Sequence, residues 1–96
     1  MKDYYLYILK CKDDSYYTGI TNNLEKRIQE HNAGIYKGYT SSRLPVKLVY
    51  SRTFKDINEA IRSEKQIKNW SRAKKEALIK GDFKLLKELS KKKKIK

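Results

Sequence analysis

The segment Tyr4–Thr21, YYLYILKCKDDSYYTGIT, constrains the fold more than any other part of the chain. Its two short runs, Tyr4 to Cys11 and Tyr16 to Thr21, are rich in tyrosine, leucine, isoleucine and threonine, which suit a pleated, half-buried surface. Between them, Lys12-Asp13-Asp14-Ser15 supplies aspartate and serine side chains that bond the local backbone, so the segment reads as a β-hairpin. A lone hairpin is not stable in water, and other elements have to cover it.

Parity sorts the tyrosines. Side chains alternate between the faces of a strand, so Tyr5 and Tyr7 share one face and Tyr4 takes the other. A two-residue turn at Asp13-Asp14 puts Tyr7 and Tyr17 on opposite faces, whereas a three-residue turn or a bulge puts them together. Both registers are open at this level. Packing is the ordinary use of a strand tyrosine, and chemistry is the alternative.

Beyond the hairpin, Asn22-Asn23 offers an N-cap to a helix over about residues 23 to 33, with Gly34 as its C-terminal stop. Residues 34 to 45, GIYKGYTSSRLP, hold two glycines, the only proline and several hydroxyls, and read as a loop. Val46 to Phe54 alternates as a third strand. Asp56-Ile57-Asn58-Glu59 resembles a capping box opening a second helix to about Asn69. Ser71 caps a third helix through Ile79, and Phe83 to Leu89 is a short fourth. The order ββαβααα predicts an α+β domain, a small three-stranded sheet flanked by helices, over residues 1–89. Residues 90–96, SKKKKIK, read as a basic flexible tail.

Charge narrows the function classes. The 96 residues carry 24 Lys+Arg against 11 Asp+Glu, a formal charge of +13, which points to a polyanionic partner. No apolar run reaches the ~20 residues of a spanning helix, and the N-terminus lacks a signal-peptide layout. Nucleic acid is therefore expected rather than a membrane, and a cytoplasmic location with it. One cysteine, Cys11, and one histidine, His31, exclude an internal disulfide and a multi-cysteine zinc site. Cys11 reads as a small strand residue.

Two helical faces carry unexpected groups. The inward stripe of the second helix is Ile57, Ala60, Ile61, Glu64 and Ile67, with a carboxylate at an apolar position. A shielded carboxylate needs a basic side chain or a metal beside it, and spacing alone admits both. On the first helix Leu24, Arg27, Ile28 and His31 share a face. Arg27 can simply lay its stem along the core and His31 sit near the helix C-terminus, or both can serve phosphate chemistry.

The motifs YLY at 5 to 7, YTG at 17 to 19, NLEKRIQEH at 23 to 31 and AIRSEKQIK at 60 to 68, in this order and spacing, resemble the GIY-YIG endonuclease superfamily. The similarity covers roughly residues 3 to 80, and the chain resembles its small stand-alone bacterial and archaeal members and the N-terminal domain of the excision-repair incision subunit. The resemblance implies a three-stranded antiparallel sheet and Mg²⁺-dependent hydrolysis of DNA phosphodiesters, with Mn²⁺ able to substitute. By motif, the implied catalytic residues are Tyr7, Tyr17, Arg27, His31 and Glu64. Glu64 is the metal ligand and Gly19 the end of the second motif. Tyr5, Leu6 and Thr18 replace the motifs' glycine and two isoleucines. Ile20 and Glu76 stand where several members have lysine and asparagine.

The DNA expected is branched, damaged or partly single-stranded, because 96 residues leave little room for a sequence-reading domain. An unidentified protein partner can supply specificity. Lys37, Tyr39 and Arg43 in the loop and Arg72, Lys74 and Lys75 on the third helix are the expected nucleic-acid contacts. Tyr36 reads equally as a packing residue. The rival readings are a binding module of the same fold without turnover and a basic structural protein.

Overall fold

The computed structural model describes residues 2–91. The elements are β1 (Tyr4–Lys10), β2 (Tyr16–Thr21), α1 (Leu24–Asn32), β3 (Lys47–Phe54), α2 (Ile57–Lys68), α3 (Arg72–Lys80) and α4 (Phe83–Ser90). The strands form one antiparallel sheet in the order β2-β1-β3, with β1 at the centre. This is the α+β architecture expected. Of the basic tail, residues 92–96 lie outside the described residues.

The turn resolves the register. Asp14 N–H donates to the Cys11 carbonyl at 2.9 Å, and Cys11 N–H donates to the Ser15 carbonyl at 2.8 Å, leaving Lys12, Asp13 and Asp14 as a three-residue loop. Asp14 closes it with φ at 69°, a left-handed conformation that aspartate tolerates better than most side chains. Tyr7 is then opposite Gly19, and Leu9 opposite Tyr17. Tyr7 and Tyr17 therefore share a face, and Tyr4 and Tyr16 take the other.

Both faces of the sheet are covered. On the Leu6 and Ile8 side, Phe54, Ala60, Ile67 and Leu78 close a core against which Tyr4, Tyr16 and Ile20 pack. On the Tyr7 and Leu9 side, Cys11 and Val46 are buried, with Tyr17, Leu24, Ile28 and Leu44 around them. Thr18 shows the cost of a hydroxyl in the first core: its Oγ1 is buried without a hydrogen-bond partner among the described residues.

The helix starts follow the capping chemistry. The side chains of Asn23, Ser71 and Asp82 accept from the backbone N–H three residues on, and Asp56 accepts from Asn58 rather than completing a box with Glu59. Ala33 is the C-cap of α1, and Gly34 follows it with φ at 74°. The α2 stripe holds at Ala60 and Ile67, which are buried, but Ile57 is 41% exposed. Ile57 sits in the first turn, where it lines a shallow pocket with Tyr4 and Ile20 instead of entering the core.

Candidate active site

Four of the predicted residues meet on the Tyr7 side of the sheet. Tyr7 is fully buried, and its hydroxyl lies 3.1 Å from His31 Nε2. His31, at the last turn of α1, is buried, and its Nδ1 lies 2.9 Å from Thr40 Oγ1. Two tautomers satisfy these contacts: Tyr7 donating to Nε2 with Nδ1–H donating to Thr40, or Nε2–H donating to Tyr7 with the Thr40 hydroxyl donating to Nδ1. In the first of these the imidazole is a neutral acceptor toward the phenol.

Environment holds the neutral state. Burial, and then the Arg27 charge, keep His31 below its ordinary value. Its nearness to the helix C-terminus, which favours a cation, does not prevail. Burial pushes the Tyr7 phenol up to about 12, against the pull of the Arg27 guanidinium.

Aromatic rings enclose the pair. Tyr17 stands edge-on to His31 with centroids 5.3 Å apart, and Tyr36 lies 4.9 Å from the imidazole. Tyr39 stacks on Tyr17 at 6.2 Å and 26°, and the Arg43 guanidinium lies 4.0 Å from the Tyr39 ring centre. Gly19 is what admits Tyr7: a Cβ there would fall 2.7 Å from its hydroxyl oxygen and 2.8 Å from Cζ. The glycine is required by close approach rather than by backbone conformation.

Arg27 is half-buried above this cluster. Its guanidinium lies 5.1 Å from the Tyr36 ring centre, with Nε 3.8 Å from Glu30 Oε1. That carboxylate oxygen also accepts the Tyr36 hydroxyl at 2.6 Å. Glu64 arrives from α2 with its side chain only 15% exposed, paired to Lys68 Nζ at 2.8 Å. Lys68 in turn lies 5.9 Å from the Tyr17 ring centre and so links Glu64 to the tyrosine side.

The predicted nucleic-acid contacts divide. Lys37 is exposed, and Lys74 lies over the Trp70 ring at 4.7 Å. Lys75 is held below the usual lysine value by burial and then by the Lys68 charge. Both arginines are committed within the protein. Arg43 donates to Asp13 at 3.0 Å and to the Tyr39 carbonyl at 2.7 Å, tying the loop to the hairpin turn. Arg72 donates to the Asp14 carbonyl at 2.6 Å and pairs with Glu76, which also accepts the Tyr16 hydroxyl. Glu76 is thus a structural acceptor, and Ile20 packs on the core.

Several participants were not foreseen in these roles. Thr40 orients the histidine, Asn32 clamps the loop end by accepting from Val46 N–H at 2.7 Å and donating to its carbonyl at 3.2 Å, and Lys68 neutralises Glu64. Thr40 and Val46 lie 9 and 14 residues from their partners across an irregular loop, where no periodicity marks them. Lys68 could have been found, since it stands four residues after Glu64 on one helix.

A metal can be tested against this donor set. Among the described residues no group of three His, Cys, Asp or Glu side chains surrounds a common point, so an all-protein cage is absent there. Mg²⁺ is commonly held through one or two carboxylates, waters and substrate phosphate oxygens. Glu64, a shielded oxygen donor whose present countercharge is one ammonium, fits that mode.

A small antiparallel sheet that brings two tyrosines against a helix-borne arginine and histidine defines a class of compact α+β domains with a tyrosine-centred site. The GIY-YIG catalytic domain matches residues 3–77, and the chain belongs to the GIY-YIG family, a nuclease family acting on DNA and generally dependent on a divalent metal. Within it the chain is 51% identical over 79 residues to a UPF0213 protein of Staphylococcus haemolyticus, covering 82% of this chain and 96% of that one. It is 56% identical over 75 residues to a UPF0213 protein of Clostridium perfringens, covering 78% and 81%. The solution structure of a UPF0213 protein from Bacillus halodurans is similar with TM-score 0.55 at 44% identity, over 81% of this chain and 83% of that one. Among the described residues no helix is long and apolar enough to cross a membrane.

Proposed function

We propose that the protein is a Mg²⁺-dependent DNA endonuclease, with Mn²⁺ able to substitute, acting in the cytoplasm on branched, damaged or partly single-stranded DNA. The observation that carries this reading is the buried Tyr7–His31 hydrogen bond with Arg27 beside it. In this reading the Tyr7 phenol donates to a neutral imidazole, the arrangement a proton relay needs.

In this reading Arg27 binds a nonbridging oxygen of the scissile phosphate, for which its planar fork suits better than an ammonium. Water approaches from the side of Tyr17, the half-exposed phenol. As its oxygen bonds to phosphorus and the bond to the leaving oxygen breaks, its proton passes to the Tyr7 oxygen, the Tyr7 proton passes to His31 Nε2, and the leaving oxygen takes a proton from solvent. Thr40 holds the imidazole in the accepting tautomer. Glu64 would hold the divalent ion, which supplies charge neutralisation at the phosphate. The exposed Lys37, with Lys74 and Lys75, would track the DNA backbone, while Tyr39, Arg43 and Arg72 shape that surface. Repair-type processing with a protein partner supplying specificity belongs to the same proposal, as does a single domain over residues 1–89.

Two observations favour the second reading, a nucleic-acid-binding module without turnover: Tyr7 is wholly shielded, and Lys68 already satisfies Glu64. One assay decides. Parent and Glu64→Ala proteins are compared on plasmid, single-stranded and branched DNA, with Mg²⁺, Mn²⁺ or chelator. The nuclease reading expects metal-dependent cutting by the parent and a loss of about 100-fold or more in the variant. If both bind alike and neither cuts under any condition, the module stands.

A further inference from the structure

Beside the buried Tyr7–His31 pair lies a polar cleft of about 240 Å³ whose walls include Asn22, Asn23, Lys26, Arg27, Glu30 and Tyr36. The odd member is Glu30. A carboxylate in a cleft bordering the arginine expected to meet phosphate works against an anion, yet it faces three donors. The Tyr36 hydroxyl donates to Oε1 at 2.6 Å, Arg27 Nε lies 3.8 Å from the same oxygen, and Lys26 Nζ lies 3.9 Å from Oε2.

We propose that Glu30 is an internal stand-in for phosphate: in the free protein its carboxylate occupies the position that a DNA phosphate takes among Tyr36, Arg27 and Lys26. The inference rests on the nucleic-acid reading above and names a residue that sets its affinity. A DNA phosphodiester carries the same single charge over two nonbridging oxygens but is not tethered to α1, so it can shorten both cation contacts, which are long for Glu30. Displacement is cheap, because the two ion pairs are partly solvated, with side-chain exposures of 68% and 33% for Lys26 and Arg27 and 26% for Glu30. Glu30 thereby keeps Arg27 and Tyr36 arranged for an oxyanion while making weakly bound anions compete for the place.

The test is the dissociation constant of a short DNA duplex, measured by fluorescence anisotropy with chelator and fixed salt, for the parent and four variants. Glu30→Gln is expected to bind about fivefold tighter, the scale of one unit charge near 4 Å in a solvated setting. Glu25→Gln, an exposed charge removed from the same helix, is expected to change binding by much less. Lys26→Ala/Glu30→Gln and Arg27→Ala/Glu30→Gln are expected to lose the gain, and the lysine pair keeps the test valid if the arginine variant does not fold. A merely structural Glu30 predicts weaker or equal binding on its removal, which would overturn the proposal. So would a gain matched by Glu25→Gln, or one that survives both double variants. Tighter binding by Glu30→Gln in a protein that cuts no DNA sinks the nuclease reading alone, and cutting without that gain sinks this one alone.

Discussion

The Tyr7 hydroxyl and His31 Nε2, 24 residues apart in the chain, lie 3.1 Å from each other in the interior. Removing the hydroxyl leaves a buried imidazole nitrogen without its hydrogen-bond partner. Tyr7→Phe is expected to lose about 1–3 kcal/mol in denaturant unfolding. If Tyr7 relays the proton, DNA cleavage falls by about 100-fold or more while duplex affinity is kept. A folded Tyr7→Phe protein that cuts at the parent rate would remove Tyr7 from the reaction.

Gly19 leaves Tyr7 its place. A methyl group at this position would stand under 3 Å from two atoms of a ring that is itself buried and hydrogen-bonded, with Tyr17 at 3.3 Å on the same side. Gly19→Ala is expected to cost about 1–3 kcal/mol and to disturb the Tyr7–His31 bond. Thermal unfolding checks the first, and the imidazole resonances of His31 check the second. Unchanged stability would mean that the ring moves freely.

Thr18 offers a gain. Its buried Oγ1 has no partner among the described residues, in a position that faces the Leu6 and Ile8 core. Thr18→Val keeps the branched shape and removes the unsatisfied group, so unfolding free energy should rise by about 1 kcal/mol. A lower melting temperature would show that the hydroxyl is hydrogen-bonded in solution.

His31 sets a pH dependence whose sign follows from its burial. Its folded value lies below the ordinary 6.5, with burial and Arg27 lowering it and Glu30 opposing them. As pH falls through about 6.5 the unfolded chain takes up a proton that the folded protein refuses, so stability drops until the folded imidazole also titrates. Stability measured from pH 7 to 5 should decline in the parent, with a flatter slope in His31→Gln whatever that variant's absolute stability. Equal slopes would contradict a neutral buried histidine.

Much of the frame was legible locally. Asn23, Asp56 and Ser71 begin helices because a short polar side chain satisfies an otherwise unpaired backbone N–H, a choice made within three residues. The face shared by Leu24, Arg27, Ile28 and His31 follows from helical spacing, and the opposition of Tyr4 to Tyr5 and Tyr7 from strand parity. The turn was not settled this way. Lys12 to Ser15 suits more than one geometry, and the left-handed Asp14 that unites Tyr7 and Tyr17 is chosen by the sheet it closes.

The candidate site divides along the same line. The amino-acid order by itself determined the strands, the helices, their caps and the motif residues, because each depends on neighbours a few positions away. Only the tertiary structure decided that Thr40 orients His31, that Arg43 and Arg72 serve the hairpin turn and that Glu30 faces Arg27 and Tyr36 together. Those contacts join segments whose separation along the chain carries no periodic signal. Their partners are fixed by where the sheet, α1 and the loop come to rest, which is a property of the packed whole.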